Sequence, residues 1–178
     1  GKEIKFLYKK IKNKLIKDIE KLNLISTTGI IEYPNKAIKY LQIISEKVKK
    51  HDGGLLTFDY GYTVNKNIDT LQAIKKHKYT NVLVQPGSSD ITSHINYKLF
   101  VEILKKNNLV VNKIVSQNEF LQKLGIIERA NLLSKKITFK DKINMFYRLK
   151  KLLHHKEMGE LFKVLFAHKK NKNFSLGF

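Results

Sequence analysis

An acid, an aromatic residue and a glycine follow one short apolar run of this chain, and they are its best candidates for chemistry. The run Leu55–Phe58 predicts a buried strand, and Asp59, Tyr60 and Gly61 come directly after it. A carboxylate at a strand end can hold a cationic substrate, and open α/β sheets bind ligands at such ends. Asp-Tyr-Gly is equally good turn chemistry, and Tyr60 can either cover a flat ligand or fill the core.

A histidine, His77, follows a segment near residues 70–76 that we expect to form a short helix. Asp69 and Thr70 precede Leu71 in the pattern of a helix N-cap. Histidine is a residue type that can act as an acid or a base at physiological pH, and His77 is a candidate for that role. A lone histidine is also a common structural hydrogen-bonding residue, so both interpretations stay open.

A carboxylate, a hydroxyl and an imidazole lie close together after the turn that Pro86-Gly87 predicts. These groups belong to Asp90, Thr92 and His94, and they can orient a substrate amine or guanidinium. Asp90 or Thr92 can instead cap the helix that we expect to begin near Asn96. If the functional interpretation holds, Asp59, Tyr60, Asp90 and His94 should face one cleft.

Several classes of site are excluded by the residues that the sequence lacks. The six histidines fall in no zinc pattern and the chain has no cysteine, so we expect no metal site and no disulfide. No GxGxxG, GxxxxGK[ST] or GxSxG occurs, which excludes the common phosphate loops and the serine-hydrolase elbow. No apolar run is long enough to cross a bilayer.

The basic residues raise the formal net charge to +20, which is typical of proteins that bind nucleic acid or anionic membranes. Only Arg129 and Arg148 are arginines, however, and the lysines are spread along the chain. Arginine is the better residue for bidentate phosphate and base recognition, so the composition does not favour specific nucleic-acid binding. The lysine-rich segment 2–22 has helical spacing and predicts a surface helix, with an anionic-membrane helix as the alternative.

The elements that position these residues alternate between helical stripes and short β-rich runs. We expect helices at 36–50, 97–107, 117–124 and 143–153, strands at 55–58, 109–115 and 161–167, a loop at 134–142 and a frayed tail at 169–178. This order predicts a single α/β domain, 1–178. It resembles the second half of a doubly wound, Rossmann-like sheet in which the last strand runs antiparallel.

Several segments, taken in order, resemble the MidA family of methyltransferases. They are the Glu-x-Pro step at Glu32, GGLLTFDYG from Gly53, DTLQA from Asp69, PGSSDITSH from Pro86 and MGELFKV from Met158. The resemblance runs from about residue 29 to 167. Residues 1–25 match poorly, and Asn96 stands where the family pattern leads us to expect an acid.

The resemblance implies a class I methyltransferase fold, S-adenosylmethionine as cofactor and methylation of an arginine on a subunit of respiratory complex I. It also implies Asp59 and Asp90 as pocket acids, with Tyr60, His77 and His94 nearby. The enzyme would work in the bacterial cytoplasm or in the mitochondrial matrix.

The cofactor contacts are expected on an upstream half of the domain, because the nine glycines of this chain never form a GxG. We therefore expect this chain to be inactive without that half, supplied in cis or in trans. Two alternatives remain. One is an interaction module that kept the fold without catalysis, and the other is a basic protein that binds nucleic acid or membranes.

Overall fold

A computed structural model describes most of the chain. The described residues are 4–22, 24, 29–64, 68–85, 87–170 and 174–178. The chain divides into two compact units, and its organisation as a single domain stays a prediction. The smaller unit comprises Gly1–Pro34 and Asn65–Ile95, and the larger comprises Asn35–Val64 and Asn96–Phe178.

Helices and short strands alternate along the chain. The helices are α1 (Asn13–Lys21), α2 (Asn35–Lys50), α3 (Tyr97–Lys106), α4 (Gln117–Lys123), α5 (Ile126–Ser134), α6 (Phe139–Leu153) and α7 (Met158–Leu161). The strands are β1 (Gly54–Tyr62), β2 (Gln72–Lys75), β3 (Lys78–Thr80), β4 (Asp90–Thr92), β5 (Ile95–Asn96), β6 (Val110–Val111), β7 (Val115–Ser116) and β8 (Phe162–His168).

The main sheet is organised around β8. Its order is β5-β1-β8-β6, and β7 also pairs with β8. The β1–β8 ladder is antiparallel and runs from Gly54 opposite His168 to Tyr60 opposite Phe162. The prediction that the last strand inserts antiparallel beside the others is therefore confirmed. So is the prediction that the segments 55–58 and 109–115 share its sheet.

Two amphipathic helices form the core with this sheet. Ile38, Leu41 and Val48 of α2 are buried, as are Leu99 and Ile103 of α3. Their spacing of three, four or seven residues places each set on one face of its helix, as the sequence predicts.

The start of α3 is fixed by Asn96. Its side-chain oxygen accepts a hydrogen bond from the Leu99 N–H at 3.1 Å. The amide thus acts as the N-cap at the position where the family pattern led us to expect an acid. The alternative in which Asp90 or Thr92 caps this helix is wrong, because both lie in β4.

The strand β1 is longer than predicted, and this changes the position of the candidate acid. Asp59 and Tyr60 do not follow the strand but lie inside it, opposite Lys163 and Phe162 of β8. The turn-forming character of Asp-Tyr-Gly is overridden because β8 supplies a pairing partner for these residues.

The expected helix near residues 70–76 is wrong. Gln72–Lys75 forms the central strand of a three-stranded antiparallel sheet with the order β3-β2-β4. The backbone N–H and C=O groups of this strand bond to β3 on one side and to β4 on the other. In a short isolated helix most of these groups would have only water as a partner. Pro86, on which the turn prediction depended, lies outside the described residues.

The helical region 117–153 is more continuous than predicted. Helix α5 extends to Ser134 and α6 begins at Phe139, so most of the expected loop 134–142 is helical. The Thr138 hydroxyl caps α6 by accepting from the Asp141 N–H at 3.2 Å and donating to the Asp141 carboxylate at 2.7 Å. This reciprocal cap resembles the capping box, and it starts a helix inside a segment that is polar throughout.

The end of the chain has packing partners that its polar composition did not predict. The ring of Phe178 lies 5.2 Å from that of Phe120 and 6.0 Å from that of Phe166. Phe174 also packs on Phe166, with ring centroids 4.7 Å apart. Residues 171–173 of the expected frayed tail lie outside the described part.

Candidate functional site

The candidate residues Asp59 and Tyr60 project from opposite faces of β1. Asp59 Oδ1 accepts the Tyr60 N–H at 2.8 Å, and its cross-strand neighbour on the same face is Lys163. The Tyr60 ring meets Phe162 edge to face, with centroids 5.6 Å apart. Tyr60 therefore packs within the larger unit, and only Asp59 shares a face with a charged side chain across the β1–β8 ladder.

A buried tyrosine that the sequence did not single out fixes the backbone at this acid. The Tyr97 hydroxyl is directed at the carbonyl oxygens of Asp59 and Lys163, at 3.1 and 3.0 Å, and can donate to either. Burial raises the pKa of Tyr97 to about 12, because the phenolate would lose its hydration. Tyr97 thus ties β1 to β8 at the Asp59–Lys163 pair.

A polar cavity of about 460 Å³ opens in the same unit. Thr63, just after β1, and Lys163, of β8, both line it. The charged lining is completed by Glu119 and Lys123 of α4 and by Glu160 of α7. Asp59 does not line this cavity. Helix α4 packs through Phe120 on Phe58 and Val164, which point away from the face of the sheet that carries Asp59.

The two carboxylates of this cavity form only local ion pairs. Glu119 contacts Lys123 at 2.9 Å, and Glu160 contacts Lys163 at 3.5 Å. Both acids are about half exposed, and such pairs contribute about 1 kcal/mol or less. A planar guanidinium, which binds carboxylates through two parallel hydrogen bonds, can compete with these lysines.

Glu119 and Glu160 were missed as site residues. Glu160 stands in the family-like segment MGELFKV, yet an acid at helical spacing from a lysine, like Glu119 or Glu160, is usually part of a solvated helix face. No local pattern distinguishes an acid that lines a cavity from an acid on a solvated helix face, because the cavity forms only when α4, α7 and β8 come together.

The smaller unit holds a second network, centred on Thr70. The Glu32 carboxylate accepts the Thr70 N–H at 2.8 Å and the Thr70 hydroxyl at 2.6 Å. The same hydroxyl oxygen accepts the His94 N–H at 2.9 Å. One threonine therefore joins three of the family-like segments. Asp69 caps no helix; its side chain accepts the Leu71 N–H at 3.0 Å in a local turn.

The remaining candidates lie in the hairpin sheet of the smaller unit. His77 is exposed and occupies the two-residue turn between β2 and β3 with a φ of 62°. Asp90 is an exposed residue of β4 opposite Ile74. His77, Asp90 and His94 belong to the smaller unit, whereas Asp59 and Tyr60 belong to the larger. Their sharing of one cleft stays a prediction.

The described glycines do not form a nucleotide cradle. A side chain at Gly54 would meet the Phe166 ring at 2.7 Å, and one at Gly159 would meet the Leu153 carbonyl oxygen at 2.1 Å. These two glycines are thus required by the packing of the chain on itself. A side chain at Gly53 or Gly87 would meet nothing within 4 Å. The described residues therefore do not fit the glycine-rich turn with which doubly wound folds hold a nucleotide.

The described ranges were also considered as a possible source of metal ligands and of membrane-spanning helices, and they supply neither. No group of three or more metal-ligating side chains occurs among these residues. None of the helices described is both long enough and apolar enough to cross a membrane.

Residues 3–115 match the model of a family described as "Putative S-adenosyl-L-methionine-dependent methyltransferase". The match begins at residue 3, inside the basic segment 1–25 that we expected to match the family poorly.

Curated relatives carry the name protein arginine methyltransferase NDUFAF7, mitochondrial, or its homolog. The Drosophila melanogaster protein is 31% identical over 55% of this chain and 22% of its own length. The human protein is 26% identical over 68% of this chain and 27% of its own length. The Xenopus laevis protein is 25% identical over 80% of this chain and 33% of its own length. The chain thus spans between about a fifth and a third of these relatives.

Two crystal structures from Burkholderia thailandensis show the same fold. One is of a protein bound to S-adenosyl-homocysteine, with a TM-score of 0.68, 22% identity and coverage of 82% of this chain and 38% of that one. The other is the native structure of an uncharacterized protein, with a TM-score of 0.67, 23% identity and coverage of 79% and 38%. These likenesses confirm the predicted Rossmann-like α/β fold.

Proposed function

Because this chain belongs to that family of S-adenosyl-L-methionine-dependent methyltransferases, we propose that it is part of an enzyme that methylates an arginine of a protein. We further propose that the substrate is a subunit of respiratory complex I. The enzyme would act in the mitochondrial matrix or in the bacterial cytoplasm. The names of the curated relatives support arginine as the methylated residue and mitochondria as the compartment. The family-like segments from Glu32 to Met158 support a complex I subunit as the substrate and the bacterial cytoplasm as the other compartment.

The observation that carries the substrate class is the polar cavity that Lys163 lines. Glu119 and Glu160 also line it and can receive the guanidinium, and Asp59 stays a proposed pocket acid of the larger unit. Carboxylates orient a guanidinium through bidentate hydrogen bonds and fix the nitrogen that has to react. Asp90, His77 and His94 remain proposed pocket residues that the smaller unit would supply.

We test the arginine pocket without the methyl donor. The 178-residue chain is titrated with a short arginine-containing peptide and with the same peptide carrying lysine, followed by NMR shifts of the cavity amides. We expect weak binding that favours arginine over lysine. In E119Q/E160Q that preference should disappear and the affinity should fall about tenfold.

The control is E46Q, which removes an exposed acid of α2 outside the cavity. It should leave the preference unchanged. Equal binding of both peptides, or an unchanged affinity in E119Q/E160Q, would contradict the assignment of the cavity.

We propose that residues outside this chain complete the cofactor site, in cis or in trans. Gly54, Gly159 and Gly177 are held by packing of the chain on itself, and the nine glycines of the sequence never form the GxG of a nucleotide loop. Calorimetric titration of this chain with S-adenosylmethionine should therefore give no binding heat, and the chain alone should not transfer methyl groups. Micromolar binding would show that the cofactor site is present here and that the proposal is wrong.

A further inference from the structure

The two arginines of the chain line one groove. Among 35 basic residues, only Arg129 and Arg148 are arginine. Arg129 lies on α5 and Arg148 on α6, and both line a cavity of about 490 Å³ between these helices. In a chain that uses lysine almost everywhere, the planar guanidinium is confined to this groove, where it can form bidentate hydrogen bonds that lysine cannot.

The rest of the groove is mainly apolar. Its lining includes Leu133 and Ile137, which are 44% and 38% exposed, and Met145, Leu149 and Leu152. Helix α6 buries none of its residues, although it is 15 residues long. A helix stabilised by packing normally buries an apolar stripe, so this surface has the composition of an interface.

The arginines form no ion pair within the described residues, although the carboxylate of Asp141 lines the same groove. Asp141 accepts the Thr138 hydroxyl at 2.7 Å as part of the α6 cap. Carboxylates that would pair with Arg129 and Arg148 in a bidentate manner therefore have to come from outside the described residues.

We propose that this two-arginine groove binds an amphipathic helix of a partner protein, one that carries leucine-like side chains on one stripe and glutamates or aspartates beside it. The apolar stripe would lie on Leu133, Met145 and Leu149, and the carboxylates would pair with the two guanidinium groups. A groove between two helices is a common receptor for such a helix. This inference concerns a surface outside the polar cavity and does not depend on methyl transfer.

Charge and shape favour this partner over two other occupants. A second copy of the chain would bring another net charge of +20. Its groove region, residues 126–153, has eight basic and two acidic residues, so two such regions repel each other. An anionic bilayer offers negative charge but a flat surface, whereas the groove is concave. A membrane-bound helix instead presents a convex apolar face.

The test uses a labelled helical peptide of about 18 residues with leucines at a spacing of three and four and flanking glutamates. A second peptide replaces every glutamate with glutamine. Fluorescence anisotropy with the full 178-residue chain should give an affinity at least about tenfold higher for the glutamate peptide. Binding should weaken in both R129Q/R148Q and R129K/R148K. In R129K/R148K the loss should be about fivefold, because lysine keeps the positive charge but cannot form the bidentate hydrogen bonds of the guanidinium.

The matched control is K36Q/K39Q, which removes the same charge from α2. It should bind the glutamate peptide as the unchanged chain does, and circular dichroism should show that all variants remain folded. The proposal is overturned if K36Q/K39Q weakens binding as much as R129Q/R148Q, or if R129K/R148K has no effect. It is also overturned if self-association or phosphatidylglycerol vesicles, rather than the glutamate peptide, engage Leu133 and Leu149.

Discussion

Thr70 shows how one hydroxyl can hold separate segments of a chain together. It donates to the Glu32 carboxylate at 2.6 Å and accepts the His94 N–H at 2.9 Å, while its own N–H reaches the same carboxylate. The sequence predicts a polar role for Thr70, but it assigns that role to a helix cap. The actual partners are 38 and 24 residues away, and no local pattern encodes them.

Replacing Thr70 with valine should destabilise the smaller unit. Valine keeps the shape of threonine but leaves the half-buried Glu32 carboxylate with one donor fewer and the His94 N–H without its acceptor. Hydrogen bonds to charged groups contribute about 1.5–3 kcal/mol, so we expect a loss of about 2 kcal/mol in urea unfolding.

The control for this change is Thr80→Val in the neighbouring strand β3, where threonine lies opposite Ala73. It should change stability by less than about 0.5 kcal/mol. Equal effects of the two substitutions would show that the hydroxyl network does not stabilise the unit.

Tyr97 predicts a stability loss at alkaline pH. Its pKa is raised from 10.0 to about 12 in the folded chain. The folded state therefore holds the phenol proton when the unfolded state releases it. The contribution is complete below pH 10 and disappears as the pH rises from 10 towards 12, by at most about 1.4 kcal/mol per pH unit.

Urea unfolding at pH 9, 10 and 11 measures this loss. The unchanged chain should lose about 1 kcal/mol more than Tyr97→Phe between pH 9 and 11. Tyr79→Phe, at a site where the ring is 78% exposed, is the control and should follow the unchanged chain. Parallel pH profiles for all three proteins would contradict the role given to Tyr97.

At the scale of elements, the sequence predicts those helices and strands that show their own apolar period. It does not predict those whose conformation depends on partners far away in the chain. The helices α2 and α3 and the strand β8 follow from apolar spacing, because each is long enough to show its period. The strand β2 does not, because four residues carry too little period and its partners β3 and β4 determine its conformation. The cavity likewise needs three elements brought together, so Glu119 and Glu160 resemble ordinary surface acids in the sequence.

The hairpin between β2 and β3 is strained at its turn. Lys76 and His77 have φ values of 49° and 62°, in the left-handed region that costs other residues about 1–2 kcal/mol relative to glycine. The two-residue loop has the geometry for which Asn-Gly is preferred. K76N/H77G should therefore stabilise the hairpin by about 1 kcal/mol and slow amide exchange at Ala73 and Thr80, the next hydrogen-bonded pair of the ladder, about fivefold.

Lys78→Gly is the control for this prediction, because Lys78 lies in an extended strand where glycine removes stability. It should speed exchange at the same amides. If K76N/H77G also speeds exchange, the turn is not strained as its φ values indicate. A catalytic role for His77 stays a prediction, which activity of the completed enzyme with H77G would test.

At the scale of the whole molecule, the charge of +20 should make stability depend on salt. Like charges repel more strongly in the compact state than in the unfolded chain, and salt screens that repulsion. Raising sodium chloride from about 20 to 300 mM should increase the Tm by about 3 °C. Choline chloride at the same ionic strength should raise the Tm by the same amount if screening is the cause. A Tm that falls as either salt is added would show that attractive charge pairs dominate.

The β1–β8 ladder also determines when the chain can fold during synthesis. Gly54 pairs with His168 and Tyr60 with Phe162, so residues that lie side by side are between 102 and 114 positions apart in the sequence. A ribosome must translate all of the intervening helices before β1 meets its partner. Until then the apolar strand has a free edge open to wrong partners. Nascent chains that stall before β8 should therefore need chaperones, and premature termination anywhere between the two strands should leave a product for proteases to remove.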